Sequence, residues 1–278
     1  MMGLELSPPP KLLADGVGVL VVGHGTADPV GVSETRQVTR DVARMLPGVP
    51  VTLGFLEVCG PTISEAMDVL VDAGCREVIA APLLLFEAGH AKRDVPEAIR
   101  EAARDRRIRV SQADPLGCHP DMVALARQRR GEALAAAGTL PPETTLVMVG
   151  RGSSDPAALD QLVRFTKATL AQAPAFPRVL YGFVAAARPT LTEAIDEASD
   201  PAAAGVRMVI VQPHLLFRGH VEEQVAAAID AGRAKRPDLA WVRVARLGAD
   251  PLVAKALVAR TLDQAAEVGV KTVSPNTA

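Results

Sequence analysis

Apolar runs without polar alternation recur along the chain, separated by stretches in which apolar residues return at three- and four-residue spacing. Residues 16–22 (GVGVLVV), 49–58 (VPVTLGFLEV), 77–86 (EVIAAPLLLF) and 108–113 are the first four runs. A continuous Val/Ile/Leu run suits a strand buried on both faces, as in a parallel sheet covered by helices. Between them, residues 30–45 place Val38, Val42 and Met45 at helical spacing, and Pro47-Gly48 stops that helix. Thr62 and Glu65 have the spacing of a capping box, at the head of a helix that reaches Ala73 and ends at Gly74. Residues 94–107 and 120–137 supply two more helices. The alternation predicts an α/β fold with a doubly wound, parallel sheet.

The pattern then starts again. Leu146 to Gly152 (LVMVGRG) matches Leu20 to Gly25 (LVVGHG) in type, and Asp28-Pro29 returns as Asp155-Pro156. Gly54-Phe55 returns as Gly182-Phe183, Pro61-Thr62 as Pro189-Thr190, and the run 82–86 as 213–217. Gly89-His90 returns as Gly219-His220, and Leu116-Gly117 as Leu247-Gly248. The offsets drift only from 127 to 131, so the chain is two copies of one α/β unit. The expected organisation is a leader (1–15), an N-terminal lobe (16–138), a C-terminal homologous lobe (145–268) and a tail (269–278). The join at 138–144 contains Pro141-Pro142 and is short enough to pack the copies together.

The copies differ where chemistry is expected. In open α/β sheets ligands bind beyond the carboxyl ends of the strands. There the first copy places His24, Glu57 and His90, whereas the second has Arg151, Ala185 and His220. The first copy therefore carries two histidines and a carboxylate at its strand ends, and the second keeps only one of these groups. Two imidazoles and a carboxylate suit a divalent first-row ion such as Co2+, Fe2+, Ni2+ or Zn2+, and they also suit proton transfer near neutral pH. His119, just before a Pro-led helix, reads as an N-cap, and His214, in an apolar strand, as a hydrogen-bonded core histidine. No role is assigned to either, or to His220.

Composition narrows the picture. Hydrophobic residues make up 49% of the chain but aromatic ones only 3%, so the core must be aliphatic. A net charge of −2 lacks the basic excess of a general nucleic-acid binder. The apolar runs are far below the ~20 residues of a membrane span, and the start of the chain lacks a signal-peptide pattern, so a cytoplasmic protein is expected. The three cysteines have neither knuckle nor disulfide spacing. Neither G-x-G-x-x-G nor a P-loop occurs. A hydrolase or transferase using His24 as base has no convincing nucleophile, since Ser33, Ser64 and Cys59 sit in no elbow motif.

The strings VVGHGTADP, GFLEVCGPTISEA, APLLLFEAGHAKRDVPEAI and DPLGCHP resemble those of the class II chelatases of tetrapyrrole biosynthesis. The chain is most similar to the sirohydrochlorin chelatases in their long form, with two homologous units, from Gly18 to about Ala265. That resemblance implies two Rossmann-like lobes facing across a cleft. It also implies an enzyme that inserts Co2+, with Fe2+ as runner-up, into sirohydrochlorin without ATP, in cobalamin or siroheme biosynthesis. A non-enzymatic carrier of metal or tetrapyrrole is the alternative. The family's metal-handling histidines map onto His24 and His90, and its carboxylate onto Glu57. Because the ring is a polycarboxylate, Arg151, Arg188 and Arg218 are candidate substrate contacts, with Lys92 and Arg93 behind them. No nucleotide, nucleic-acid or membrane partner is expected, and a monomer suffices because one chain supplies both lobes.

Overall fold

The computed structural model describes residues 12–86, 91–138, 143–171, 176–200 and 205–272, with the backbone alone at 91 and 92. His90, the side chain of Lys92 and most of the join (139–142) lie outside these residues. In chain order the first repeat contains β1 (Val17–Gly23), α1 (Pro29–Met45), β2 (Val51–Phe55), α2 (Ile63–Asp72), β3 (Glu77–Pro82), α3 (Ala91–Ala103), β4 (Arg109–Gln112) and α4 (Pro120–Ala137). The second contains β5 (Thr144–Gly150), α5 (Pro156–Leu170), β6 (Arg178–Phe183), α6 (Leu191–Ala198), β7 (Met208–Pro213), α7 (His220–Lys235), β8 (Ala240–Arg243) and α8 (Pro251–Glu267).

Each repeat forms a four-stranded parallel sheet, ordered β2-β1-β3-β4 and β6-β5-β7-β8. The strand order reverses beside β1 and β5, and the crevice at such a switch point is the usual ligand position. Every residue of β1 and of β5 is buried, as uninterrupted apolar runs require. Each fully buried Val or Leu contributes about 1.5–3 kcal/mol, which suits a core with few rings. The capping box at Thr62 and Glu65 forms, and its repeat forms at Thr190 and Glu193. Strand β3 stops at Pro82 rather than at 86. Leu83 N still donates to Val22 O at 2.9 Å, after which Leu84 and Leu85 turn their carbonyls to Leu116 N and Gly117 N.

The helices are not confined to their own repeats. Leu20, Val22, Val78 and Ala80 on one face of the first sheet pack on α2 and α3. On its other face, Val19, Val21, Ile79 and Ala81 share a core with α1 and with Val253, Ala254 and Leu257 of α8. Conversely, Leu146, Met148 and Ile210 of the second sheet pack against Ala133 and Leu134 of α4. The last helix of each repeat thus covers the other repeat's sheet. Polar contacts fix this exchange: Gln212 of β7 donates to Ala126 O of α4 at 2.8 Å, and Arg130 of α4 donates to Gln212 Oε1 at 2.9 Å and Thr169 O at 2.8 Å. Arg130 is buried with no carboxylate in salt-bridge contact among the described residues, and desolvation pulls its pKa down to about 10. No helix among the described residues is long and apolar enough to cross a membrane.

Candidate functional site

The carboxyl ends of β1 and β2 are laced together beyond the sheet. Leu56 N donates to Gly23 O at 2.9 Å and Glu57 N to His24 O at 3.1 Å. The approach is so close that a Cβ on Gly25 would lie 1.9 Å from Glu57 O, and Gly25 has φ +102°, a region open chiefly to glycine. The glycine after His24 is therefore what allows the two loops to meet. As a result the imidazole and carboxylate face each other, with His24 Nδ1 at 3.4 Å from Glu57 Oε1. The side chains keep 33% and 57% of their surface exposed, so both remain open to a ligand.

The second repeat builds the same scaffold without these groups. Ala185 N donates to Arg151 O at 2.9 Å, and a Cβ on Gly152 would lie 1.7 Å from Ala185 O. Val58 and Ala186, which follow Glu57 and Ala185, both adopt positive φ, +69° and +54°. The backbone geometry is duplicated and the chemistry is not.

A cavity of about 740 Å³ lies between the two sets of strand ends. Its apolar wall includes Leu83 to Phe86, Leu162, Phe183 and Leu215 to Phe217; its polar groups include His24, Glu57, Arg151, Arg218, His214 and His220. Such a mostly apolar chamber with a few convergent polar groups is the ordinary form of a small-molecule site. Among the described residues no three His, Cys, Asp or Glu side chains form a metal-holding group; the described donor pair is His24 with Glu57.

The three predicted arginines fare differently. Arg151 lines the cavity with its side chain exposed. Arg218 lines it too, but its Nε lies 3.3 Å from Asp28 Oδ2 and its backbone N donates to Glu34 Oε2 at 2.9 Å, ties that cross between repeats. Arg188 is not in the cavity wall: its guanidinium is held by Glu193, the carboxylate of the second capping box, and stays 78% exposed. Arg93 is exposed and also absent from the wall.

The other histidines also resolve. His119 caps α4, its Nδ1 accepting from Asp121 N at 3.2 Å. His220 is spent on its own helix, with Nε2 3.1 Å from the amide of Gln224 and Nδ1 3.6 Å from Glu223. His214 departs from expectation. It is buried just after β7 against Phe86 and Phe165, with ring centroids at 4.8 and 4.0 Å, and among the described residues its Nε2 has no hydrogen-bond partner. A hydrogen-bonded core histidine was expected; it is a core histidine, packed against two aromatic rings, but its Nε2 lacks the expected partner. Burial pushes its pKa down to about 3. Sequence reasoning missed this packing and the pairing of Arg218 with Asp28, because a strand-end histidine or an Asp-Pro N-cap carries no sign of a partner distant in the chain.

Comparison with known proteins adds to this geometry. The CbiX family model matches residues 18–133 and again 145–264. A sirohydrochlorin cobaltochelatase of Priestia megaterium is 28% identical over 202 residues, covering 72% of this chain and 64% of that relative. The match therefore spans somewhat less than two thirds of that protein. A sirohydrochlorin ferrochelatase of Bacillus subtilis (strain 168) is 29% identical over 256 residues, covering 89% and 92%. Among solved structures, SirB from Bacillus subtilis with Fe3+ superposes with a TM-score of 0.78 at 25% identity, covering 91% of this chain and 97% of that one.

Proposed function

The chain belongs to the CbiX family of class II chelatases, and from that premise we propose that it inserts a divalent metal, Co2+ or Fe2+, into sirohydrochlorin without ATP. The observation that carries the reading is the His24–Glu57 pair at the first lobe's strand ends, set in a cavity whose opposite wall offers Arg151 at the matching position. Insertion requires the pyrrole N–H protons to leave while the ion exchanges water for ring nitrogens. A neutral imidazole can serve both halves of that exchange, as a ligand to the ion and as an acceptor of the proton. Glu57 beside Nδ1 orients the ring and leaves Nε2 for the ion or the departing proton. His90 is assigned as the second imidazole. An ion held by two imidazoles and one carboxylate keeps open positions, so it is gripped without being trapped.

Arg151 meets a carboxylate of the ring, for which a guanidinium fork is well matched. Arg218, tied to Asp28 through Nε at 3.3 Å, has its remaining N–H groups available to the same task. The two repeats supply both cavity walls, so a monomer acting in the cytoplasm, with no nucleotide, is sufficient. The test is anaerobic turnover: free-base sirohydrochlorin in excess over protein, with Co2+ or Fe2+, followed by the loss of the free-base absorption spectrum. Repeated turnovers are expected. One equivalent of product per protein would instead favour a carrier, and no metal-dependent change would overturn the reading. Initial rates with the two ions decide between the cobalt and iron branches.

A further inference from the structure

Beside α1 lies a second, open pocket of about 500 Å³ that adjoins the cavity, with Thr26 and Val58 lining both. Its wall contains Arg36 and Arg40 and no carboxylate. One helical turn apart, these two side chains share a face. The bonds they make are to neutral oxygens: Arg36 Nη2 to Gly60 O at 3.4 Å and Arg40 Nη2 to Gln37 Oε1 at 2.6 Å. Two guanidinium charges therefore border the site without an acidic partner among the described residues.

Resting on the reading of a tetrapyrrole substrate, we infer that this Arg36–Arg40 pocket is a subsite for carboxylates on the rim of the macrocycle. Three observations converge on it. First, among the described residues the cavity wall holds few cations for a polycarboxylate ring: Arg151 lines it, Arg218 is held in part by Asp28, and Arg188 is held by Glu193 outside it. Second, Val58 stands between the His24–Glu57 pair and the pocket, lining both spaces. It is 65% exposed, with φ +69°, a strained conformation for a β-branched residue. An apolar side chain fixed there offers a rest for the ring's edge where its charged arms diverge. Third, the pair is confined to the lobe that holds His24 and Glu57. At the matching register of α5 the second repeat has Val163 and Lys167.

The experiment is a metal-free titration of sirohydrochlorin into wild-type protein and into Arg36→Gln/Arg40→Gln and Arg36→Glu/Arg40→Glu double variants, each checked for native circular dichroism. Both positions are exposed on α1, and glutamine keeps the helix-forming character. At low salt the Gln pair is expected to weaken binding roughly tenfold and the Glu pair more. The gap from wild type should close as salt rises, because these are exposed charges. Arg36→Lys/Arg40→Lys should recover part of the affinity. Coincident low-salt titrations for wild type and the Gln pair, or a loss indifferent to salt, would overturn the subsite. Failure of the wild type to turn over metal at all would overturn the chelatase reading, and the two failures are separable.

Discussion

His24 and Glu57 are joined twice, by the bond from Glu57 N to His24 O at 3.1 Å and by the 3.4 Å approach of Oε1 to Nδ1. The backbone contact sets where the side-chain contact can occur. His24→Ala is therefore expected to abolish metal insertion without altering the circular dichroism spectrum. Glu57→Gln, which keeps the shape and removes the charge, should lower the rate by about 10–100-fold, as loss of an orienting partner does. Full activity in either variant would remove the pair from the mechanism.

The glycines that let the loops meet give a paired prediction. A Cβ at Gly25 or Gly152 would fall within 2 Å of a carbonyl oxygen, 1.9 Å from Glu57 O and 1.7 Å from Ala185 O, and both residues have positive φ. Alanine at either site should destabilise the protein by about 1–3 kcal/mol or more, read from urea midpoints. Gly25→Ala should also depress insertion at temperatures where the protein remains folded, because it drives Glu57 away from His24. Gly152→Ala, at the copy without that pair, should affect stability more than rate.

His214 gives a pH signature. Its pKa of about 3 in the folded protein is below the unfolded value of 6.5, so the unfolded chain takes up a proton first as the solution acidifies. The native state should keep its full stability above about pH 6.5 and lose up to about 1.4 kcal/mol per pH unit from this group on the way down. His214→Leu places there the residue found at the matching Leu83, which is 3% exposed. It should remove that share of the acid sensitivity and, by deleting an unpaired buried nitrogen, raise stability at neutral pH by about 1–3 kcal/mol. Denaturant curves near pH 7 and pH 5 measure both. Equal pH slopes for wild type and variant would mean that burial does not hold the imidazole's pKa below its unfolded value.

The exchanged helices predict the fate of the halves. A fragment of residues 16–138 would have its first sheet without α8, exposing the face of Val19, Val21, Ile79 and Ala81, while α4 would lack the sheet it covers. Such a fragment should self-associate or precipitate, and mixing it with 143–272 should restore a 1:1 assembly on size-exclusion chromatography. A monomeric fragment that unfolds cooperatively would contradict this arrangement.

Much of the frame was legible because it depends on local rules. Continuous apolar runs gave away the buried strands, the Thr62–Glu65 spacing the capping box, and His119 before Pro120 the cap of α4. The duplication exposed His24 and Glu57 against Arg151 and Ala185. The helix exchange was illegible, since an amphipathic segment does not declare whose sheet it covers, and Arg130 on the buried side of α4 conceals its apolar stripe. Leu84 to Phe86 read as more strand because wall residues of an apolar cavity have the composition of a buried strand. Arg188 and Arg218 were plausible anion binders whose charges are met by Glu193 and Asp28, partners that only folding supplies.

The crossing of α4 and α8 also governs how a flat macrocycle can come and go. In many two-lobed proteins the halves swing apart like a clam shell about a hinge. Here such a swing would have to peel α8 from the first sheet and α4 from the second, wetting Leu257 and Leu134 together with the strands beneath them. That is a partial unfolding event. Passage into and out of the cavity is therefore left to its rim, over a base that stays locked.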